Sequence, residues 1–318
     1  MAIISKDISK AVGLLNAGEL VAIPTETVYG LAGNIYSEKA IQSIFKTKQR
    51  PFFNPLIVHI SSIEHLESLV DYIPPKAKLL AEIFWPGPIT LVLKKKSTVP
   101  DIITAGKDTV AVRIPDHPVT LELLKQLSFP LAAPSANPFS SISPTTAKHV
   151  EDYFKDNLKM VLDGGDCKSG IESTIIGFEN DLPVILRLGS TPIEAIEAVV
   201  GPVKIKNKTE ISPSAPGMLE RHYAPKTKII LTSNISETIK DYSHLKIGVI
   251  VFSTKVENPL ITSKVILSKT GDLLEAAANV YSALHDLDKQ NLDMIIAEKL
   301  PDNGLGKSIN DRLERASK

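Results

Sequence analysis

The chain has 318 residues, of which 43% are hydrophobic and 23% are charged, a mix that is typical of a globular protein. Its 36 Lys and Arg residues balance 36 Asp and Glu residues, which argues against a broad nucleic-acid or membrane surface but not against a local basic groove. A single cysteine excludes an internal disulfide, and neither a signal peptide nor an apolar run of ~18 residues is found. These features predict a cytoplasmic protein with two domains.

The first two hundred residues alternate irregularly between predicted strands and helices. Short apolar runs bounded by turn residues predict strands at 19–24, 89–94, 109–115, 159–165, 173–178 and 184–189. Apolar residues at helical spacing predict helices at 7–17, 118–128 and 191–201. Because strands outnumber clear helices, we expect a mixed α/β domain on a twisted sheet, and not a strictly alternating Rossmann unit.

The composition then changes to a proline-rich segment without paired apolar residues, which predicts a linker. Beyond it, strands are predicted at 228–233, 246–253 and 292–298, with an amphipathic helix at 271–288 that Asp272 and Glu275 could begin as a capping box. The sequence therefore predicts a second, smaller α/β domain, with domain 1 at 1–203, the linker at 204–226 and domain 2 at 227–318.

A cluster of cations precedes a rigid, proline-flanked stretch in KTKQRPFFNPLIVH, residues 46–59. In an extended segment, Lys48 and Arg50 would lie on the same side and could bind phosphate, while the neighbouring prolines would hold Asn54 in place. A solvated loop is the alternative interpretation of these cations. His59 alternates with apolar neighbours, so it points to one face of a strand, either as a site residue or as a core histidine.

Two arginines lie inside apolar strands, Arg113 in TVAVRIP and Arg187 in VILRLG. A buried arginine requires an anionic partner, which is either a carboxylate ligand or an internal acid. Hydroxyl and amide side chains crowd residues 134–146, where they could cap a helix or line a polar pocket. Together these features favour a site that binds anions and acts by proximity and charge stabilisation, without an obvious nucleophile or protein metal cage.

Several motifs resemble those of the YrdC/Sua5 family: PTETVYGL, KxRPxxNPLIVHI, SAN, the linker SAPGMxxxHYAP and the ending GLGKSINDRLERA. The resemblance covers essentially the whole chain and matches the long, Sua5-type members. It implies a YrdC-like twisted open α/β sheet with a concave basic groove, followed by a small Rossmann-like C-terminal α/β domain. In such proteins the linker crosses the mouth of the groove as a lid.

The resemblance also implies threonylcarbamoyl-AMP synthase activity, a nucleotidyl transfer that converts L-threonine, bicarbonate or CO2, and ATP into threonylcarbamoyl-adenylate and diphosphate. This is the first step in making t6A at adenosine 37 of tRNAs that read ANN codons, and other transferase proteins complete it. The implied cofactor is Mg2+, held mainly by the ATP phosphates. Contact with those transferase proteins is possible, and direct tRNA contact is left open.

By motif, the resemblance assigns residues to two substrates. Those on the L-threonine side would be Thr27, His59, Arg113 and Ser173. Those on the ATP side would be Lys48, Arg50, Asn54, Thr109, Ser135, Asn137, Ser143, Arg187, His222 and Tyr223, with Lys48 and Arg50 as the catalytic pair. Whether His222 or Tyr223 faces the nucleotide stays open.

The alternative function is a non-catalytic RNA-binding module that uses a basic groove. The zero net charge and the 5% aromatic content weigh against it. A carbamoyltransferase of the hydrogenase-maturation type is a third interpretation, but those proteins carry additional zinc-binding segments that a single cysteine cannot supply.

Overall fold

The computed structural model describes residues 2–207, 216–217, 222–253 and 256–318, so much of the predicted linker lies outside the described residues. The strands are β1 (Ile3–Ser5), β2 (Val21–Ile23), β3 (Gly30–Asn34), β4 (Ile57–His59), β5 (Ile89–Lys94), β6 (Thr109–Arg113), β7 (Leu131–Ala132), β8 (Met160–Leu162), β9 (Thr174–Glu179), β10 (Leu182–Arg187), β11 (Lys204–Ile205), β12 (Lys228–Thr232), β13 (Ile247–Val251), β14 (Ile261–Ile266) and β15 (Met294–Glu298). The helices are α1 (Ile8–Asn16), α2 (Glu38–Lys48), α3 (Pro75–Phe84), α4 (Asp101–Thr104), α5 (Pro118–Lys125), α6 (Ala147–Phe154), α7 (Ile193–Val200), α8 (Ile235–Asp241), α9 (Leu273–Asp288) and α10 (Gly304–Ala316).

Eleven strands form one large mixed sheet in the order β1-β8-β2-β3-β7-β4-β6-β5-β9-β10-β11. β4 and β6 are parallel and place His59 beside Arg113, whereas β5 and β6 are antiparallel. Many of these strands are buried along nearly their whole length, which explains why they are apolar runs in the sequence. The expectation of a twisted mixed α/β sheet is confirmed.

The second domain is a separate sheet of four parallel strands in the order β12-β15-β13-β14. Its helix α9 begins at the predicted residue, since the Asp272 carboxylate accepts from the Leu274 amide at 2.7 Å. Glu275 completes no capping box, because its carboxylate accepts from the Ser268 hydroxyl. The predicted Rossmann-like arrangement of parallel strands and helices is present.

The two domains share one apolar core. Val28 and Ile171 of the first domain pack in the same cluster as Tyr281 of α9 and Ile309 of α10. His149 of α6 stacks on His285 of α9, with ring centroids 3.9 Å apart. Within the described ranges, none of the helices is both long and apolar enough to cross a membrane.

Candidate active site

A cavity of about 50 Å3 lies between the large sheet and the linker. Strands of the large sheet and the loops that follow them contribute most of its walls, and the linker contributes the rest. The lining residues are Thr25, Thr27, Val28, Gly30, Arg50, Ile57, His59, Arg113, Ala133, Pro134, Ser135, Glu172, Ser173, Arg187, Pro216, Gly217, His222 and Tyr223. Three arginines against one glutamate give this lining an excess of positive charge, as the predicted anion-binding site requires.

Arg50 reaches the cavity because α2 ends just before it. The expectation of an extended Lys48–Arg50 segment is wrong: Lys48 is the last residue of α2, and Gln49 caps the helix in the left-handed conformation, with φ 53°. The guanidinium is held by Asn54, whose side-chain oxygen accepts from Nη2 at 2.7 Å, and by the Pro55 carbonyl at 2.8 Å. Nη1 has no partner among the described residues, so its N–H groups are available to an anion.

Lys48 is almost completely buried and turns toward backbone instead of open space. Its ammonium donates to the carbonyls of Ser135 and Asn137, both at 2.5 Å. Burial and the nearby Arg50 charge lower the pKa of Lys48. The lysine therefore joins the end of α2 to the Ser135–Asn137 loop, one contact behind the cavity wall.

Arg113, at the end of β6, already has an internal acid as its partner. Its Nη2 lies 2.5 Å from Glu26 Oε1, and both side chains are buried. Its Nη1 donates to the Thr27 hydroxyl at 2.9 Å, and its Nε donates to the Gly87 carbonyl at 3.2 Å. Of the two partners that the sequence left open for Arg113, the structure supplies the internal acid.

His59 stands beside Arg113 in the β4–β6 pairing. Burial and the Arg113 charge lower the pKa of His59 to about 3, so its ring is neutral near pH 7. The ring nitrogen Nδ1 is buried and has no hydrogen-bond partner in the described part of the chain. A buried polar atom of this kind at a cavity wall indicates a ligand or water contact.

Arg187 connects the large sheet to the linker. Its Nη2 donates to the Ser173 carbonyl at 2.8 Å and to the Ser173 hydroxyl at 3.0 Å, while Nη1 donates to the Pro216 carbonyl at 3.2 Å. The Ser173 hydroxyl also contacts the Thr90 hydroxyl at 2.7 Å. The arginine thereby fixes both a cavity wall and the segment that covers it.

The linker places His222 and Tyr223 side by side over the cavity, with ring centroids 4.1 Å apart. The next residue, Ala224, donates its amide to the Ser140 carbonyl at 2.8 Å, and the His222 amide donates to the Arg315 carbonyl of α10 at 3.3 Å. Both rings line the cavity, so the structure does not choose between them. The Tyr223 hydroxyl is buried without a partner among the described residues.

The second domain reaches the cavity wall through Glu172. Arg312 of α10 donates to its carboxylate at 2.8 Å, Tyr281 of α9 donates at 2.9 Å, and the Ser143 hydroxyl donates at 2.6 Å. Burial opposes ionisation of Glu172, but the Arg312 and Arg187 charges outweigh it and lower the pKa of this carboxyl to about 2. Arg312 also lies 4.8 Å from the centre of the Tyr223 ring.

The structure brings most of the predicted site residues together. Nine line the cavity: Thr27, Arg50, His59, Arg113, Ser135, Ser173, Arg187, His222 and Tyr223. Four support it from one contact behind the wall: Lys48, Asn54, Asn137 and Ser143.

Thr109 is not at this cavity. It begins β6, on the same face as Arg113 but about 13 Å along the strand. There it lines a separate, open cavity of about 610 Å3 with Val92, Gly177 and Leu186. An apolar cluster that includes Ala111 and Ile175 covers the face between the two cavities.

Sequence reasoning missed the acidic partners. Glu26 lies inside the quoted motif PTETVYGL, and a buried arginine signals that some acid must be close, but the pattern does not say which acid. Arg312 and Tyr281 lie on α10 and α9, where they have the spacing of ordinary helix residues. No sequence signal links them to Glu172.

The fold and the cavity define a two-domain α/β protein with an arginine-lined pocket suited to anionic small molecules. Residues 13–189 match the Sua5/YciO/YrdC family model, described as "Telomere recombination", and residues 191–318 match the model described as "Threonylcarbamoyl-AMP synthase, C-terminal domain". The matched ranges meet near residue 190, although α7 still packs against α3 and β11 still pairs with β10 of the large sheet.

The chain is 42% identical to threonylcarbamoyl-AMP synthase of Pyrococcus abyssi, over 96% of this chain and 93% of that protein. It is 39% identical to the synthase of Bacillus subtilis, over 98% and 92%. The crystal structure of P. abyssi Sua5 complexed with L-threonine superposes with a TM-score of 0.93 at 40% identity, covering 100% of this chain and 97% of that one. The chain therefore belongs to the Sua5 family.

Proposed function

We propose that the protein is a threonylcarbamoyl-AMP synthase, which forms threonylcarbamoyl-adenylate and diphosphate from L-threonine, bicarbonate or CO2, and ATP. The observation that carries the proposal is the cavity in which Arg50, Arg113 and Arg187 converge beneath the linker. The relatives named above bear the same enzyme name, and one of them was solved with L-threonine.

The threonine carboxylate is assigned to Arg113, with Thr27, His59 and Ser173 around the rest of the molecule. The threonine ammonium gives up two protons to water as its nitrogen bonds to the carbon of CO2 and one C=O π bond breaks, which gives an N-carboxylate. One oxygen of this group attacks the α-phosphorus of ATP, and diphosphate leaves with the electrons of the broken P–O bond. Arg50 and Arg187 face the negative charge that gathers on the phosphates, and the residues act by position and charge.

Mg2+ is assigned to the ATP phosphates and not to a protein site. No group of three or more His, Cys, Asp or Glu residues that could hold a metal ion is found in the described ranges. Glu172 is the acid at the cavity wall, and Arg312, Tyr281 and Ser143 already engage its oxygens. When bound with ATP, the ion offsets phosphate charge.

The linker acts as a lid over the site. The cavity of about 50 Å3 has room for only a few water molecules, at roughly 10–15 Å3 for each. Pro216, Gly217, His222 and Tyr223 form one side of it, so their movement would widen the site for ATP. Closure then protects the N-carboxylate and the anhydride, both of which react with water.

The adenosine part of ATP is assigned to the concave face that runs from Arg113 toward Thr109. Both residues lie on one face of β6, and the apolar cluster between them offers a surface for a base. This placement keeps Thr109 as an ATP contact although it lies outside the arginine-lined cavity.

The product is a mixed anhydride that has to reach a transferase before water destroys it. We place the protein at the first step of t6A formation in the cytoplasm, with transferase proteins as partners. No observation on the described residues favours the RNA-binding module.

The test is release of pyrophosphate from ATP with bicarbonate and each of several amino acids. Release that requires both threonine and bicarbonate, with threonylcarbamoyl-adenylate identified by mass spectrometry, is the expected result. Nucleotide binding without release for any amino acid would overturn the proposal and leave salt-dependent tRNA binding as the next property to measure.

A further inference from the structure

Glu26 forms a deeply buried ion pair beside the threonine side of the cavity. Its carboxylate lies 2.5 Å from Arg113 Nη2, and the two side chains are 6% and 4% exposed. Neither oxygen of this carboxylate has a hydrogen-bond donor in the described part of the chain. An ion pair so deeply buried is costly to form, so its position calls for an explanation.

The hydrogen bonds of Arg113 show what the pair leaves for a ligand. A guanidinium carries five N–H groups in a fixed plane. The Gly87 carbonyl accepts from Nε and the Thr27 hydroxyl accepts from Nη1. Glu26 contacts Nη2 as an ion pair without a hydrogen bond, and no described residue accepts from Nη2. One N–H on Nη1 and both on Nη2 are left, and one from each terminal nitrogen together suit a carboxylate.

We propose that Glu26 is a positioning residue that aims Arg113 and cancels its charge, so that the subsite accepts a zwitterionic amino acid in preference to a simple anion. This inference rests on the proposed function. With Glu26 ionised, Arg113 and Glu26 together carry no net charge, so a neutral zwitterion enters without leaving an excess charge buried. Without Glu26, Arg113 would be a buried, uncompensated cation, and such a cation attracts any small anion.

Two titratable neighbours of Glu26 supply no negative charge in its place. Burial lowers the pKa of His117, whose ring also faces the Glu26 charge, so this histidine is neutral near pH 7. Burial raises the pKa of the Cys167 thiol, which is close enough to feel both Glu26 and Arg113, so it is neutral too. Among the described residues, Glu26 is the acid in direct contact with Arg113.

The experiment measures threonine affinity by calorimetry, kcat and KM by pyrophosphate release, and inhibition by inorganic phosphate. Glu26→Gln keeps the shape and removes the charge. We expect it to weaken threonine binding and raise KM about tenfold or more, because a misaimed Arg113 loses charge-assisted hydrogen bonds. Phosphate should inhibit Glu26→Gln at a concentration about tenfold lower than it does the wild type. A threonine affinity within twofold of wild type and unchanged phosphate inhibition would overturn the proposal.

Two further variants complete the design. Glu67→Gln makes the same chemical change at an exposed position and should match the wild type. Glu26→Asp keeps the charge and shortens the side chain, so threonine KM should rise while phosphate inhibition stays as in the wild type. A wild-type KM in Glu26→Asp would contradict the positioning role even if Glu26→Gln failed to fold.

Absence of pyrophosphate release in the wild type would instead count against the proposed function, and threonine calorimetry would still test Glu26.

Discussion

The Tyr223 hydroxyl is buried at the cavity, and no described residue shares a hydrogen bond with it. Burying an unpaired hydroxyl costs about 1–3 kcal/mol, so a ligand contact would explain why it is there. We predict that Tyr223→Phe raises the unfolding free energy of the ligand-free protein by about 1 kcal/mol and raises the KM for ATP about tenfold.

Tyr281→Phe is the matched control for this prediction, because its hydroxyl donates to Glu172 at 2.9 Å. That variant should lower the unfolding free energy, which urea titration of both variants measures. A loss of stability in Tyr223→Phe with an unchanged KM for ATP would show that the hydroxyl serves the fold and not the nucleotide.

Arg113 shows which part of the site the sequence predicts and which part it does not. The need of a buried Arg113 for an anion is a local consequence of its apolar strand, and it was predictable. The identity of the anion was not, because Glu26 belongs to a different loop and meets Arg113 only when the sheet is assembled. The buried charge of Arg113 requires an anionic partner, and the tertiary structure determines that this partner is Glu26.

At the level of elements, the end of α2 and the linker position the phosphate-binding groups. The prolines that follow Lys48 suggested an extended segment there. Helix α2 instead continues to Lys48, and the left-handed Gln49 ends it. Strands such as β5 were predictable because burial on both faces leaves an apolar run. The helix end was not, because a left-handed Gln leaves no strong sequence signal.

Gly217 gives the linker a conformation that other residues rarely adopt, with φ +82°. A methyl group there would come within 2.6 Å of the Tyr223 hydroxyl oxygen and 2.8 Å of Arg187 Cδ. We predict that Gly217→Ala hinders closure, so that less threonylcarbamoyl-adenylate accumulates for each pyrophosphate released. Parallel assays of the two products measure this ratio.

Gly201→Ala is the control for the linker variant. Gly201 also has a positive φ, but it ends α7, away from the cavity, with no atom within 4 Å of the added methyl group. It should leave the product ratio unchanged. Equal ratios of threonylcarbamoyl-adenylate to pyrophosphate in the wild type and Gly217→Ala would contradict the prediction that the linker protects the product.

At the level of the whole molecule, the second domain contributes residues that support the site although they are far from it in sequence. No sequence pattern indicates that these residues meet the cavity wall. Two helices of that domain meet Glu172 at the cavity wall, and one of them places Arg312 against the Tyr223 ring. The order of the eleven-stranded sheet and the docking of α9 and α10 depend on long-range packing. Composition and periodicity predicted two α/β domains but could not predict this contact.

The Arg312–Glu172 pair makes a testable link between the domains. Arg312→Met would leave Glu172 as a buried carboxylate without its main cation, and we predict a loss of about 3–5 kcal/mol in unfolding free energy. Adding Glu172→Gln should recover much of that loss, because the buried charge is then gone. Urea unfolding of the wild type, both single variants and the double variant measures this coupling.

Activity should not recover together with stability in the double variant. Glu172 lines the cavity and Arg312 supports the Tyr223 ring, so both contributions to the site stay lost when the charge is removed. Lys307→Met is the control, since its pair with Glu194 also joins the domains but is partly exposed, and such pairs contribute about 0–1 kcal/mol. If the two single losses of stability simply add in the double variant, the pair is not coupled. If pyrophosphate release returns with stability, the second domain supports the fold without shaping the site.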